Sequence, residues 1–295
     1  MRPHRPLSNF LTVDVEEYFH VNYEGIDPGS YASRKTNLPA LVDRLLSVFD
    51  DASIRCTFFV LGVIGEKYPE LVRNIHARGH EVASHGYDHK AVREMSGAEF
   101  RDDLLKSRGI LESIVGRKIQ GFRAPSFSVD RETLPMFYRA LQECGYGYSS
   151  SVFPGKTFLY GVPGAPFHPH RPAFGGVPSG VIEFPITRFE LFGKRFPVYV
   201  RLFPASALQR RILRENRQGR PAMIYVHPRE IDPGQPRLPL SRGRALIHYW
   251  GIRGCEAKLR RLLARGALEF TSIRDYLADG AFERTEVVAG DEPAG

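Results

Sequence analysis

Leu11-Thr-Val-Asp14-Val-Glu16-Glu17 is the stretch on which the reading of this chain turns. Its first five residues are a short stretch rich in β-branched side chains (Thr12, Val13, Val15), as a strand requires, and the run ends in carboxylates. Packing gives no reason to finish an apolar strand with acids, whereas α/β barrels collect their reactive groups at that end of their strands. Alternate residues of a strand share a face, so Asp14 and Glu16 point together and Glu17 points away.

Downstream, strands and helices alternate. Asn37 is placed to cap a helix whose apolar residues Leu38, Leu41, Val42, Leu45, Leu46 and Phe49 recur at three and four residues. A strand at 56–61, a helix at 69–78 and a strand at 81–84 follow. Ser96 and Glu99 have capping-box spacing ahead of the next helix, and further strand and helix units are expected at 119–124, 132–144 and 146–149. Repetition at this pace implies right-handed crossovers and a largely parallel sheet, closed or nearly closed: an α/β fold of the distorted (β/α) barrel type. Residues 153–180 are dense in Pro, Gly and His and read as a functional loop beside the site. Strands are expected again at 181–186, 222–227 and 267–270, with helices at 205–218 and 255–264.

A chain of 295 residues with 42% hydrophobic and 25% charged residues buries a real core, which excludes a disordered or fibrous protein. Cys56, Cys144 and Cys255 are odd in number and far apart, which excludes a disulfide framework and a Cys-rich zinc module and predicts buried thiols. The first residues lack the apolar stretch of a signal peptide, and the longest apolar run, 56–64, is too short to span a bilayer. A cytoplasmic protein is expected, either free or in peripheral contact with the inner membrane. The 41 Lys and Arg against 33 Asp and Glu give a net charge of +8, open to an anionic partner. Nucleic acid is excluded as that partner, because no recognition motif or aromatic sheet accompanies the arginines.

Three further stretches carry chemistry. In Gly79-His-Glu-Val-Ala-Ser-His85-Gly-Tyr-Asp-His89 two histidines stand four apart after a strand, a spacing that on a helical turn puts both imidazoles on one side for a divalent metal. Gly121-Phe-Arg123-Ala-Pro-Ser126 ends a strand in a planar guanidinium able to orient a carboxylate. Ile224-Tyr-Val-His227-Pro ends another in an imidazole suited to proton transfer near neutral pH.

Taken in order, T-V-D-V-E, S-H-G-Y-D-H, R-A-P-S and Y-V-H-P resemble the polysaccharide deacetylases, the NodB-like carbohydrate esterase family 4. The similarity runs from about Leu11 to His227. The D-V-E-E-Y-F-H-V run and the H-Y-W-G segment at 248–251 are similar to the branch found in exopolysaccharide gene clusters, which carries a C-terminal extension. The resemblance implies a barrel over residues 1–228, an extension packed on it over 229–280, and a tail at 281–295. It implies one divalent ion, zinc first, held by Glu16, His85 and His89, which would polarise the amide carbonyl and activate water. Asp14 then matches the general base, Arg123 the group that steers it, and His227 the general acid. The partner is an N-acetylated glycan or its precursor.

The chain departs from the commoner pattern. Val15 stands where many relatives have a metal aspartate, so either Glu16 or Asp14 is the acidic ligand. Ser126 replaces a frequent tyrosine, whose expected oxyanion contact is a backbone N–H. Two other functions fit the same residues: an amidohydrolase opening a small cyclic amide or imide, and a catalytically silent glycan-binding protein. Oligomeric state is not encoded in any pattern found.

Overall fold

A computed structural model of the chain describes residues 7–282, apart from 24, 32, 35, 158–159, 175, 192–193, 198 and 265–267. The first half contains β1 (Ser8–Val15), α1 (Leu38–Ala52), β2 (Thr57–Val60), α2 (Gly62–Lys67), α3 (Pro69–Ala77), β3 (Glu81–Ser84), α4 (Gly97–Val115), β4 (Gly121–Phe122), α5 (Leu134–Glu143) and β5 (Tyr148–Ser149). The hairpin β6 (Ala173–Phe174) and β7 (Val177–Pro178) precedes β8 (Ile182–Glu183), and a second hairpin, β9 (Arg188–Leu191) and β10 (Lys194–Pro197), follows it. Then come α6 (Ala205–Asn216), β11 (Met223–Val226), α7 (Arg242–Tyr249), α8 (Cys255–Leu263), β12 (Glu269–Thr271) and α9 (Ile273–Ala278).

The main sheet is parallel in the order β11-β1-β2-β3-β4-β5-β8, with β12 paired to the start of β1. Its two edges meet through Thr187, whose N–H donates to the Met223 carbonyl at 3.1 Å and whose Oγ1 accepts from the Met223 N–H at 2.7 Å. This is the expected distorted (β/α) barrel, and the seam between β8 and β11 is where it is irregular.

Alternation along the strands sorts two cores. Leu11, Val13, Val15, Phe58, Val60, Phe122, Ile224 and Val226 pack outward under the helices. Phe10, Phe59, Ala83, Tyr148, Met223 and Tyr225 fill the barrel. Continuing that inward row in steps of two reaches Asp14, two steps past Phe10 on β1, and His85 and His227, one step past Ala83 of β3 and Tyr225 of β11. The outer helices form for the reasons the pattern implies. The predicted stripe of α1 is buried, although Asn37 makes no side-chain cap and Pro39 in the first turn starts the helix instead. In α4 the Ser96–Glu99 capping box is complete.

Residues 229–280 do more than cover the barrel. β12 joins the sheet, and the start of α9 closes the floor: the Ile273 N–H donates to Thr57 Oγ1 at 2.9 Å and the Arg274 N–H to Glu81 Oε2 at 2.9 Å. Phe282, assigned from sequence to the tail, is fully buried in the barrel core; residues 283–295 lie outside the described residues. The three cysteines are free and buried, as expected. No helix among the described residues is long and apolar enough to cross a membrane.

Candidate active site

All six residues singled out from sequence meet at the C-terminal rim of the barrel, and all are buried. Asp14 Oδ1 accepts from Arg123 Nη1 at 2.6 Å. That guanidinium is immobilised on every side: Nη1 also donates to Thr12 Oγ1 (2.8 Å), Nε to the Ser150 carbonyl (3.0 Å) and Nη2 to Ser150 Oγ (2.8 Å), with Phe59 stacked 4.1 Å away. A buried charge so completely paired is an orienting device for Asp14, because every donor is committed before substrate arrives.

Glu16 Oε2 lies 2.9 Å from His89 Nε2 and 3.8 Å from His85 Nε2, and the three residues form a ligand cluster with donor atoms within 4.8 Å of one another. His85 Nδ1 donates to the Arg123 carbonyl at 2.9 Å, so its Nε2 carries the free lone pair. His89 Nδ1 faces Asn22 Oδ1 at 3.2 Å in the same way. One carboxylate, two oriented imidazoles and near-complete burial suit a divalent cation. Burial alone would raise the Glu16 carboxyl, but His89 and His227 beside it hold it well below the usual carboxylate range. Asp14 faces Arg123 and His227 rather than the histidine pair, so Glu16 is the acid of the cluster.

The histidine pair does not converge on a helical turn, as the spacing suggested. Residues 85–89 form a bent loop with Gly86 at φ 78° and His89 at φ 70°. The Gly62 and Val63 N–H groups hold it, donating to the Gly86 and Tyr87 carbonyls at 2.9 Å each. A left-handed non-glycine ligand costs of order 1–3 kcal/mol and persists only where its surroundings over-determine it. Ser126 and Phe127, at φ 52° and 50°, are a second such pair on the same rim.

His227 Nε2 stands 3.5 Å from Glu16 Oε1 and 3.9 Å from Asp14 Oδ2, with Glu230 Oε1 3.7 Å behind Nδ1. Burial would lower this imidazole, but Glu16 and Glu230 outweigh it and raise it, favouring the protonated ring. Glu230 is itself fixed by Arg201 Nε at 2.8 Å. Burial pushes its carboxyl up, yet His227 and the arginines bring it down to about 2.

The cluster opens into a cavity of about 820 Å³ whose wall includes Lys156, Thr157 and Tyr160 of the Pro-rich loop together with Tyr199, Arg229 and Ile247. Polar groups on an apolar concave wall are typical of a small-molecule or glycan site. Asn22, Arg201 and Glu230 escaped the sequence reading. Only Glu230 had a signal, its capping-box distance from His227, and its Oε2 accepts the His227 N–H at 3.4 Å. Glu17 turns away to Thr36, as expected. His20 both packs and lines the cavity, stacked on His89 at 5.9 Å. His80 supports its strand by accepting the Cys56 N–H at 3.2 Å. His170 does not border the cavity but is buried in a bridge with Glu183.

A family model described as polysaccharide deacetylase matches residues 27–148, and one described as a domain of unknown function (DUF3473) matches 150–278. The second therefore spans β8 and β11 as well as the C-terminal helices. Among curated proteins the chain is similar to peptidoglycan deacetylase-like protein FGM2 of Gibberella zeae, 31% identical over 40% of this chain and 35% of the relative. It is also similar to a peptidoglycan-N-acetylglucosamine deacetylase of Bacillus cereus, 30% identical over 30% of each, and to a chitooligosaccharide deacetylase of Azorhizobium caulinodans, 28% identical over 30% of this chain and 42% of the relative. The chain spans about a third of the length of these relatives. A Mycobacterium smegmatis structure assigned by its name to the polysaccharide deacetylases superposes with a TM-score of 0.63 at 20% identity, covering 100% of this chain and 99% of that one. The PuuE allantoinase structure gives 0.60 at 17%, covering 95% and 92%; both likenesses concern the fold alone. Residues 27–148 thus match the polysaccharide deacetylase family, the NodB-like, carbohydrate esterase family 4 type.

Proposed function

We propose that this protein is a metal-dependent hydrolase that removes N-acetyl groups from an amino sugar, in a polysaccharide or its lipid- or nucleotide-linked precursor, during exopolysaccharide production. The observation that carries the reading is the meeting of the Asp14–Arg123 pair, the Glu16–His85–His89 cluster and His227 around one cavity. Glu16, His85 and His89 would hold the ion, zinc being the first expectation for this donor set, and when bound it supplies Lewis acidity toward the amide carbonyl.

The chain's own groups do the rest. Arg123 holds Asp14 Oδ1, so Oδ2 is the oxygen that takes the proton of the attacking water. As water oxygen bonds to the carbonyl carbon, charge grows on the carbonyl oxygen, and the Ser126 N–H on the left-handed rim donates to it. Protonated His227, braced by Glu230, gives its Nε2 proton to the sugar nitrogen as the C–N bond breaks. Acetate and a free amine leave.

The fold likeness to an allantoinase keeps ring opening of a small cyclic amide as the second reading. Incubation of the purified protein with N-acetylglucosamine oligomers and, separately, with cyclic amides and imides distinguishes them. Acetate release from the oligomers supports the first reading. Ring opening without acetate release replaces it with the second, and sugar binding without either product points to a silent binder.

A further inference from the structure

We propose that the C-terminal end of α7 is a membrane-docking surface that seats the mouth of the catalytic cavity against an anionic lipid surface. Leu105, Val177, Leu246, Ile247 and Trp250 are the exposed large apolar side chains among the described residues, and three of the five fall within five consecutive positions, each more than half exposed. Apolar exposure scattered singly needs no explanation, whereas a cluster marks a contact. Arg242 and Leu246 stand four apart on α7 and share one row of the helix, with Ile247 beside them and Trp250 at the C-cap just beyond.

Charge identifies the partner. Between Asp232 and Glu256 the sequence has no acidic residue but has Arg237, Arg242, Arg244 and Arg253, of which Arg237, Arg242 and Arg253 are exposed. Arginines on an apolar edge lay their stems along it and reach phosphates with their heads, and tryptophan favours the same headgroup level. A glycan would use the Trp250 face but has no use for outward Leu246 and Ile247. The basic helix α6 lacks the apolar component: Arg211 is tied to Glu215 at 2.7 Å and to the Arg188 carbonyl at 2.9 Å.

The surface is built rather than loose. Arg201 Nη1 donates to the Ile247 carbonyl at 2.7 Å and the Trp250 carbonyl at 3.0 Å. Gly251 then turns the chain at φ 78°, where a Cβ would come within 2.2 Å of the Arg201 oxygen. Ile247 also lines the catalytic cavity, so the patch is continuous with its rim. Docking there would present the cavity to a substrate carried at the headgroup level.

Trp250 is the chain's single tryptophan, so its emission reads the surface directly. The full chain is titrated with phosphatidylglycerol–phosphatidylcholine vesicles and with phosphatidylcholine vesicles at low salt. The proposal expects a blue shift with the anionic vesicles, a much weaker one with the neutral vesicles, and reversal by added salt. Leu246→Glu, which keeps the reporter, should weaken the vesicle response about tenfold or more, with circular dichroism confirming an intact fold. The double change Arg242→Ser and Arg253→Ser should weaken it by at least about tenfold. No shift with anionic vesicles, a shift untouched by either variant, or a shift with chitooligosaccharides but not vesicles would overturn the proposal.

Discussion

Asp14 and Glu16 sit two residues apart on one strand face, yet their neighbours divide their work. Arg123 claims an oxygen of Asp14, while Glu16 reaches into the histidine pair. Strand alternation is why the sequence pairs the two carboxylates at the end of β1, while Val15 leaves the choice of acidic ligand open between Asp14 and Glu16. Asp14→Asn should therefore lower deacetylation about 10²- to 10⁴-fold while the protein keeps its ion; steady-state acetate release with elemental analysis checks both, and wild-type turnover would show the base is another group. Glu230 gives a pH prediction. Its carboxyl lies at about 2 in the folded chain against an ordinary 4.5, so the folded state favours the charged form. Its stabilisation is complete above the unfolded value and is lost as pH falls through the folded one. Glu230→Gln should cost about 3 kcal/mol at neutral pH by leaving Arg201 unpaired. The wild-type and variant melting temperatures should converge on acidification from about pH 5 downward, and a gap that stays constant there would contradict this.

At the scale of elements, helices with a full apolar stripe and strands bounded by turn residues were readable in the sequence, including the α4 capping box. Ser96→Ala should cost about 1 kcal/mol of stability in denaturant unfolding, with activity unaltered. What was not readable has local causes. α2 follows β2 after Leu61 and contains Gly62 and Gly65, where an added Cβ would come within 3.3 Å of Ser107, Ile110 and Leu111 of α4; the glycines permit that close packing but hide the helical pattern. The 85–89 segment has helical spacing but a loop backbone, since Gly86 and the N–H groups of Gly62 and Val63 impose the bend. α7 was hidden because its apolar residues face outward, so no buried stripe betrayed it.

At the scale of the whole molecule, the barrel and its C-terminal residues are one body. β12 pairs with Ser8–Phe10, α9 caps the floor, and α7 stands at the cavity rim. This interdependence was not legible, because a sequence pattern shows which face is apolar but not what covers it. A chain ending at residue 228 should fail to show cooperative thermal unfolding, since it exposes the start of β1 and the α6 face under α8; a sharp transition in that fragment would mean the barrel stands alone. The central claim is that Glu16, in place of an aspartate one residue earlier, completes a metal site with His85 and His89. Its most direct test is the metal stoichiometry of purified protein after incubation with zinc and removal of excess ion. The account predicts about one ion per wild-type chain and almost none in Glu16→Gln, as a carboxylate ligand cannot be spared from a three-residue set. Equal metal content in the two proteins, or none in the wild type, would contradict it.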